Sequence, residues 1–193
     1  FGPIIFKPAR ANTLDPRVKA IKTGIALTPG ETWVKKVNNL LYDPDYQEYI
    51  ATIAATQIGR GHSVLIIADR VEFLQNVKEL LGDTCVLVTG STGTEDREKV
   101  ADQINSGEKR CIAGSRGIFS EGISINRLSC VILATPIANE ENLEQIIGRI
   151  MREFPGKDEA LVIDLQFAGI ADRKQNNVRL GFYLNQGWEV EAI

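Results

Sequence analysis

From residue 63 onward, short apolar runs alternate with stretches whose apolar residues recur every three or four positions. The runs are 63–68 (SVLIIA), 84–88 (TCVLV), 110–113 (RCIA), 130–134 (CVILA) and 160–165 (ALVIDL). They are continuous rather than alternating, the pattern of strands buried on both faces of a parallel sheet. Between the first two, Val71, Leu74, Val77, Lys78 and Leu81 carry helical spacing across 70–81. Between the second and third, 95–104 reads as a helix opened by Thr92-x-x-Glu95, a capping-box pattern. This βαβαβ rhythm predicts an α/β domain with a doubly wound sheet.

The N-terminal third is less regular. Residues 1–16 hold Pro3, Pro8 and Pro16 and read as an extended lead-in. Helices are predicted over 31–41 and 45–58, the second with Tyr46, Tyr49, Ile50, Ile53 and Ala54 on one face. Gly59-Arg60-Gly61 ends that helix and turns the chain into the first run. Beyond Leu165, residues 171–187 read as a helix, followed by Trp188. The expected organisation is a lead-in over 1–30 and one domain over 31–193. No internal repeat and no low-complexity tract interrupts it.

Composition narrows the class. The 193 residues are 44% apolar and 24% charged, which excludes a disordered tail, a collagen and a coiled-coil rod. No run of about 18 apolar residues offers a membrane span. Twenty-two basic against 25 acidic residues give a net charge of -3, so nonspecific coating of nucleic acid is not expected, although local basic edges remain open. The three cysteines, Cys85, Cys111 and Cys130, lie in or beside apolar runs and read as buried reduced thiols. With no CxxC pair and His62 the single histidine, a zinc site and a His-based triad are not expected. A chain that starts at Phe1 with no basic-then-apolar leader reads as a fragment or processed product, expected in the cytoplasm.

Three segments carry candidate chemistry. In the first, 139–152, Leu143, Ile146, Ile147, Ile150 and Met151 form an apolar stripe. Gln145, Gly148, Arg149 and Arg152 repeat the spacing on the other face, behind Asn139 as an N-cap. Such a face can be merely solvated. Yet a mid-helix glycine costs about 1 kcal/mol relative to alanine, and two arginines one turn apart suit phosphate oxygens.

The second segment, 113–125 (AGSRGIFSEGISI), is glycine-rich. Gly117 and Gly122 have Walker A spacing, but Ile123 and Ser124 follow, so the phosphate-gripping lysine is absent. The glycines could equally serve a tight connection. The third segment is 89–93 (TGSTG), whose amides and hydroxyls can position a phosphate or simply form a βα turn. Asp69-Arg70, past the first run, adds a cation at the same kind of strand end.

In this order, SVLIIADR, VTGST with Arg97 behind it, IAGSRGIFSEGISI and EQIIGRIMR resemble the second RecA-like domain of superfamily 2 helicases. The resemblance covers 63–165 and is strongest to the DNA-repair branch, including phage branch-migration and recombination helicases. It implies a three-layer RecA-like (P-loop NTPase-like) α/β domain with a central, mainly parallel sheet and helices on both faces. It implies that Arg149 and Arg152 reach the γ-phosphate of ATP across a domain cleft, with Arg152 favoured as arginine finger. Gln145 would fix them and sense nucleotide, with Gly122 and Ser124 beside it. Many relatives place an aspartate where Ser124 stands, which leaves a carboxylate contact there in doubt. Arg70, Gly90, Ser91 and Ser115 would touch the sugar-phosphate backbone of a tracked strand.

The family's Walker A lysine and Asp-Glu metal box are missing from this sequence: no GK[ST] occurs, and Asp158-Glu159 precedes an apolar run instead of ending it. The resemblance therefore implies that ATP and Mg²⁺ are held mainly by an N-terminal RecA-like domain of the same protein. This chain alone is expected to hydrolyse no ATP. The implied partner is DNA, single-stranded or branched, with RNA left open and no membrane. The implied activity is that of an ATP-dependent helicase in repair, recombination or replication. Two other readings stand beside it: a noncatalytic nucleotide- or protein-binding α/β module, and a small-molecule enzyme on a flavodoxin-like scaffold.

Overall fold

The computed structural model describes residues 12–27, 30–115, 124–137 and 139–193. In chain order the elements are β1 (Pro16–Lys22), α1 (Trp33–Leu41), α2 (Pro44–Gly59), β2 (Val64–Ala68), α3 (Val71–Leu81), β3 (Cys85–Val88) and α4 (Thr94–Ser106). There follow β4 (Cys111–Ser115), β5 (Cys130–Leu133), α5 (Glu140–Ile150), β6 (Ala160–Gln166), α6 (Ile170–Asn185) and β7 (Glu189–Ala192). The seven strands make one sheet in the order β3-β4-β2-β5-β6-β1-β7, and neighbours run parallel throughout.

Alternation along each strand divides the core into two layers. Leu65 and Ile67 of β2 face Ile104, Ile147 and Phe182, from α4, α5 and α6. Val64, Ile66 and Ala68 face Leu41, Ile50 and Phe73, from α1, α2 and α3. Helices thus cover both faces, and all five residues of β2 and all seven of β6 are buried. That double burial is why these segments read as continuous apolar runs. At the end of α2, Gly61 takes φ +98°, a left-handed turn open to glycine that aims the chain into β2.

Two strands escape the continuous-run pattern. β1 lies inside the expected 1–30 lead-in and pairs with β6 and β7. It alternates, with Val18 and Ala20 buried and Arg17, Lys19 and Ile21 half-buried. β7 closes the sheet edge and alternates as Glu-Val-Glu-Ala. Arg17 holds it, donating to Glu191 at 2.9 Å and lying 3.7 Å from Glu189. The expected Thr92–Glu95 capping box does not form. Gly93 is the N-cap of α4, with no side-chain cap bond. The Thr92 hydroxyl instead accepts from the Thr89 amide at 3.0 Å. Among the described residues, no helix is long and apolar enough to cross a membrane.

Candidate functional site

Helix α5 forms because its N-terminus is capped and one stripe is buried. The Asn139 side chain accepts from the Asn142 amide at 2.9 Å, and Glu140 and Glu141 favour the positive end of the dipole. Leu143, Ile147 and Ile150 are fully buried and Ile146 nearly so. The opposite face therefore points outward, with Gln145 exposed and Gly148 and Arg149 half-buried. A Cβ added at Gly148 would meet nothing within 4 Å, so packing among the described residues does not require glycine there.

Arg152 departs from the sequence expectation. The helix ends at Ile150, with Met151 as its C-cap. Arg152 pairs instead as an isolated antiparallel bridge with Thr13. The Leu14 amide donates to the Met151 carbonyl at 2.7 Å, and the Glu153 amide to the Asn12 carbonyl at 3.4 Å. Helical periodicity does not place this arginine; a short extended segment does. It nonetheless stays close to Arg149, whose guanidinium is pulled below its ordinary pKa by burial and then by the charge of Arg152.

The Arg152 side chain is tethered. Its Nη1 donates to the Ser124 hydroxyl at 2.8 Å and to Asn126 Oδ1 at 3.4 Å. Ser124, where a carboxylate was in doubt, thus touches the arginine through its hydroxyl. Gly122 lies outside the described residues. Lys157, which no motif flagged, donates its Nζ to the carbonyls of Arg152 at 2.6 Å and Asn126 at 3.3 Å. Burial, and after it the charge of Arg152, pulls the Lys157 ammonium down to about 8.

A second group gathers at the C-terminal edge of the sheet, where open α/β sheets bind ligands. Adjacent strands β3, β4 and β2 end in register there: Val88 faces Gly114 and Ala68 faces Ser115. Gly90 and Ser91 follow β3, Ser115 ends β4 and Arg70 follows β2, so the four candidates sit on neighbouring strand ends about 5 Å apart. Gly90 and Ser91 are exposed, and Ser115 and Arg70 half-buried. Arg70 Nε donates to Asn38 Oδ1 of α1 at 2.8 Å. The turn itself is braced by Arg97, only 6% exposed, whose Nη2 reaches the carbonyls of Thr89 at 3.4 Å and Gly90 at 3.3 Å.

The structure therefore joins Arg149, Arg152 and Ser124 beside α5, and Arg70, Gly90, Ser91 and Ser115 at the strand ends. It does not put the two groups in one place. Among the described residues no group of three or more His, Cys, Asp or Glu side chains is arranged to hold a metal. Cys85, Cys111 and Cys130 are free and buried. Asp164, within the apolar run of β6, is ion-paired with Arg179 at 2.9 Å, both side chains 1% exposed. Arg179, Tyr183 and Trp188 are core residues.

Residues 46–153 match the family model of the helicase conserved C-terminal domain. The chain is 36% identical to the probable helicase D10 of Escherichia phage T5, over 98% of this chain and 43% of that protein. It is 27% identical to the ATP-dependent DNA helicase uvsW of Enterobacteria phage T4, over 97% of this chain and 41% of that protein. The chain thus spans less than half the length of either relative. The crystal structure of T4 UvsW superposes with a TM-score of 0.76 at 18% identity, covering 95% of this chain and 42% of that one. The C-terminal domain of the DEAD-box protein Dbp5 gives 0.62 at 13% identity, covering 95% and 92%. Those superpositions carry the RecA-like fold. With the family model spanning more than half of the sequence and the T5 relative aligned along nearly all of it, the chain belongs to the helicase conserved C-terminal domain family.

Proposed function

We propose that this chain is the C-terminal motor domain of an ATP-dependent DNA helicase or translocase working in repair, recombination or replication. The observation that carries the reading is the arginine cluster: Arg152 stands close enough for its charge, after burial, to lower the pKa of Arg149, and Arg152 is tethered to Ser124. A T4 relative named an ATP-dependent DNA helicase favours DNA over RNA.

In this reading an N-terminal RecA-like domain holds ATP and Mg²⁺, since this sequence has no GK[ST]. Bound ATP supplies a phosphoryl group whose transfer spreads charge over its oxygens. Arg149 and Arg152 face that charge across the domain cleft and stabilise it, and a planar fork suits the geometry better than a point charge. Gln145, exposed on the helix that carries Arg149, orients the arginines and senses the nucleotide. Arg70, Gly90, Ser91 and Ser115 hold the backbone of one DNA strand, which positions it without reading sequence.

Steady-state, DNA-stimulated phosphate release by the longer protein tests this. Arg152→Ala should lower turnover about 10³–10⁵-fold, the worth of an arginine finger. Its melting curve should stay close to that of the parent, because an exposed contact contributes about 1 kcal/mol or less. Arg152→Lys should recover little. Near-normal turnover in Arg152→Ala would leave the chain as a noncatalytic binding module.

A further inference from the structure

We infer that Lys157 is a positioning residue that fixes Arg152 for phosphoryl transfer. The inference rests on the reading of Arg152 as the phosphate-facing arginine. Lys157 belongs to the 151–159 connection between α5 and β6 and lies outside the residues matched by the family model, 46–153.

The geometry is a closed ring. Arg152 Nη1 reaches Asn126 Oδ1 at 3.4 Å and the neighbouring Ser124 hydroxyl at 2.8 Å. Lys157 Nζ reaches the carbonyls of those same two residues, Asn126 at 3.3 Å and Arg152 at 2.6 Å. One ammonium therefore ties the backbone under the arginine to the backbone under its side-chain partner. On its other side Arg152 is bridged to Thr13. Lys157 and the 12–14 segment hold the backbone from two directions, while Ser124 and Asn126 aim the guanidinium.

The chemistry suits a lysine. Two carbonyl oxygens need two donors from one tetrahedral centre, and an ammonium or a neutral amine supplies both. Half-burial beside Arg152 disfavours the charge and pulls the group to about 8. The fold keeps it there despite that cost, and Lys157 has no acidic partner among its hydrogen bonds to the described residues.

A misplacement of about 1 Å at a catalytic group can cost roughly a hundredfold in rate. In the longer protein, Lys157→Met should therefore lower kcat about 10- to 100-fold and leave KM for ATP within about twofold. The decisive comparison is a double-mutant cycle with Arg152→Ala, read by single-turnover phosphate release. A residue acting through Arg152 has nothing left to position in that background, so Lys157→Met should then cost no further rate. Normal kcat in Lys157→Met beside a dead Arg152→Ala would overturn the positioning role and leave the proposed function standing. So would an equal loss in both backgrounds. Near-normal turnover in Arg152→Ala would instead sink the proposed function itself. If Lys157→Met melts early, Lys157→Gln, which keeps a polar donor on a shorter stem that cannot bridge both carbonyls, carries the same cycle.

Discussion

Arg152 donates its Nη1 to the hydroxyl of Ser124 at 2.8 Å, a contact between residues 28 apart in sequence. The hydroxyl offers the arginine one acceptor with no negative charge, so it aims the guanidinium without neutralising it. A carboxylate would hold the same group more tightly. Ser124→Ala removes the acceptor and should lower DNA-stimulated turnover of the longer protein about three- to tenfold, the scale of one partly exposed bond to a charged group. Ser124→Thr keeps the hydroxyl and should stay near the parent rate. Equal rates in all three proteins would show that the tether does not aim Arg152.

Gly148 supports a prediction of opposite signs. It sits inside α5, where alanine is favoured by about 1 kcal/mol, and an added Cβ meets nothing within 4 Å. Gly148→Ala should therefore stabilise the isolated 193-residue chain by up to about 1 kcal/mol in a denaturant melt. If a nucleotide or the partner domain approaches this face, the same methyl should reduce turnover of the longer protein. Stabilisation with unchanged turnover would mean that nothing comes close to Gly148.

Arg70 already gives its Nε to Asn38 and an Nη1 contact to the Asp69 carbonyl. A guanidinium has five donors, so several are left for phosphate oxygens. Arg70→Ala should weaken single-stranded DNA binding to a similar degree across sequences and lower the slope of log affinity against log salt by about 1. Binding titrations at three salt concentrations decide it. An unchanged slope would remove Arg70 from the interface.

The sequence made legible what depends on periodicity. β2, β5 and β6 are buried on both faces, so their apolar runs need no context to be recognised. The buried stripe of α5 and its Asn139 cap follow from spacing in the same way. What depends on distant partners stayed hidden. β1 and β7 alternate charged with apolar groups, and the pairing of β1 with β6 and β7 shows them to be strands. Arg152 follows the helical repeat in sequence, yet pairing with Thr13 takes it out of the helix. Thr92 and Glu95 satisfy a capping-box pattern, but the Thr89 amide claims the Thr92 hydroxyl first. Lys157 and Asn126 carry no motif because their role lies in two carbonyl contacts that no side-chain pattern encodes.

The buried pair of Asp164 and Arg179 yields a stability prediction with a pH signature. Arg179 Nε reaches both carboxylate oxygens, at 2.9 and 3.0 Å, and its Nη2 reaches the Leu165 carbonyl and Asn176 Oδ1. Arg179→Met strands the carboxylate in the core and should destabilise the chain by about 3–5 kcal/mol near neutral pH. Asp164→Leu with Arg179→Met should recover only part of that, because the loss also orphans the Leu165 carbonyl and Asn176. Burial already raises the Asp164 carboxyl above its ordinary value, against the opposing pull of Arg179. Removing the guanidinium removes that pull, so the carboxyl rises further. Above the unfolded carboxyl pKa and below the folded one, the native state binds more protons than the unfolded state, and stability falls as pH rises. The penalty of Arg179→Met should therefore be smaller at about pH 5 than at about pH 8, where the stranded group is pressed to ionise. Denaturant melts of both proteins at the two pH values measure it. A penalty that is the same at both would mean Asp164 keeps its charge satisfied by other groups, with the Tyr183 hydroxyl and the Gln166 amide facing the carboxylate as the candidates.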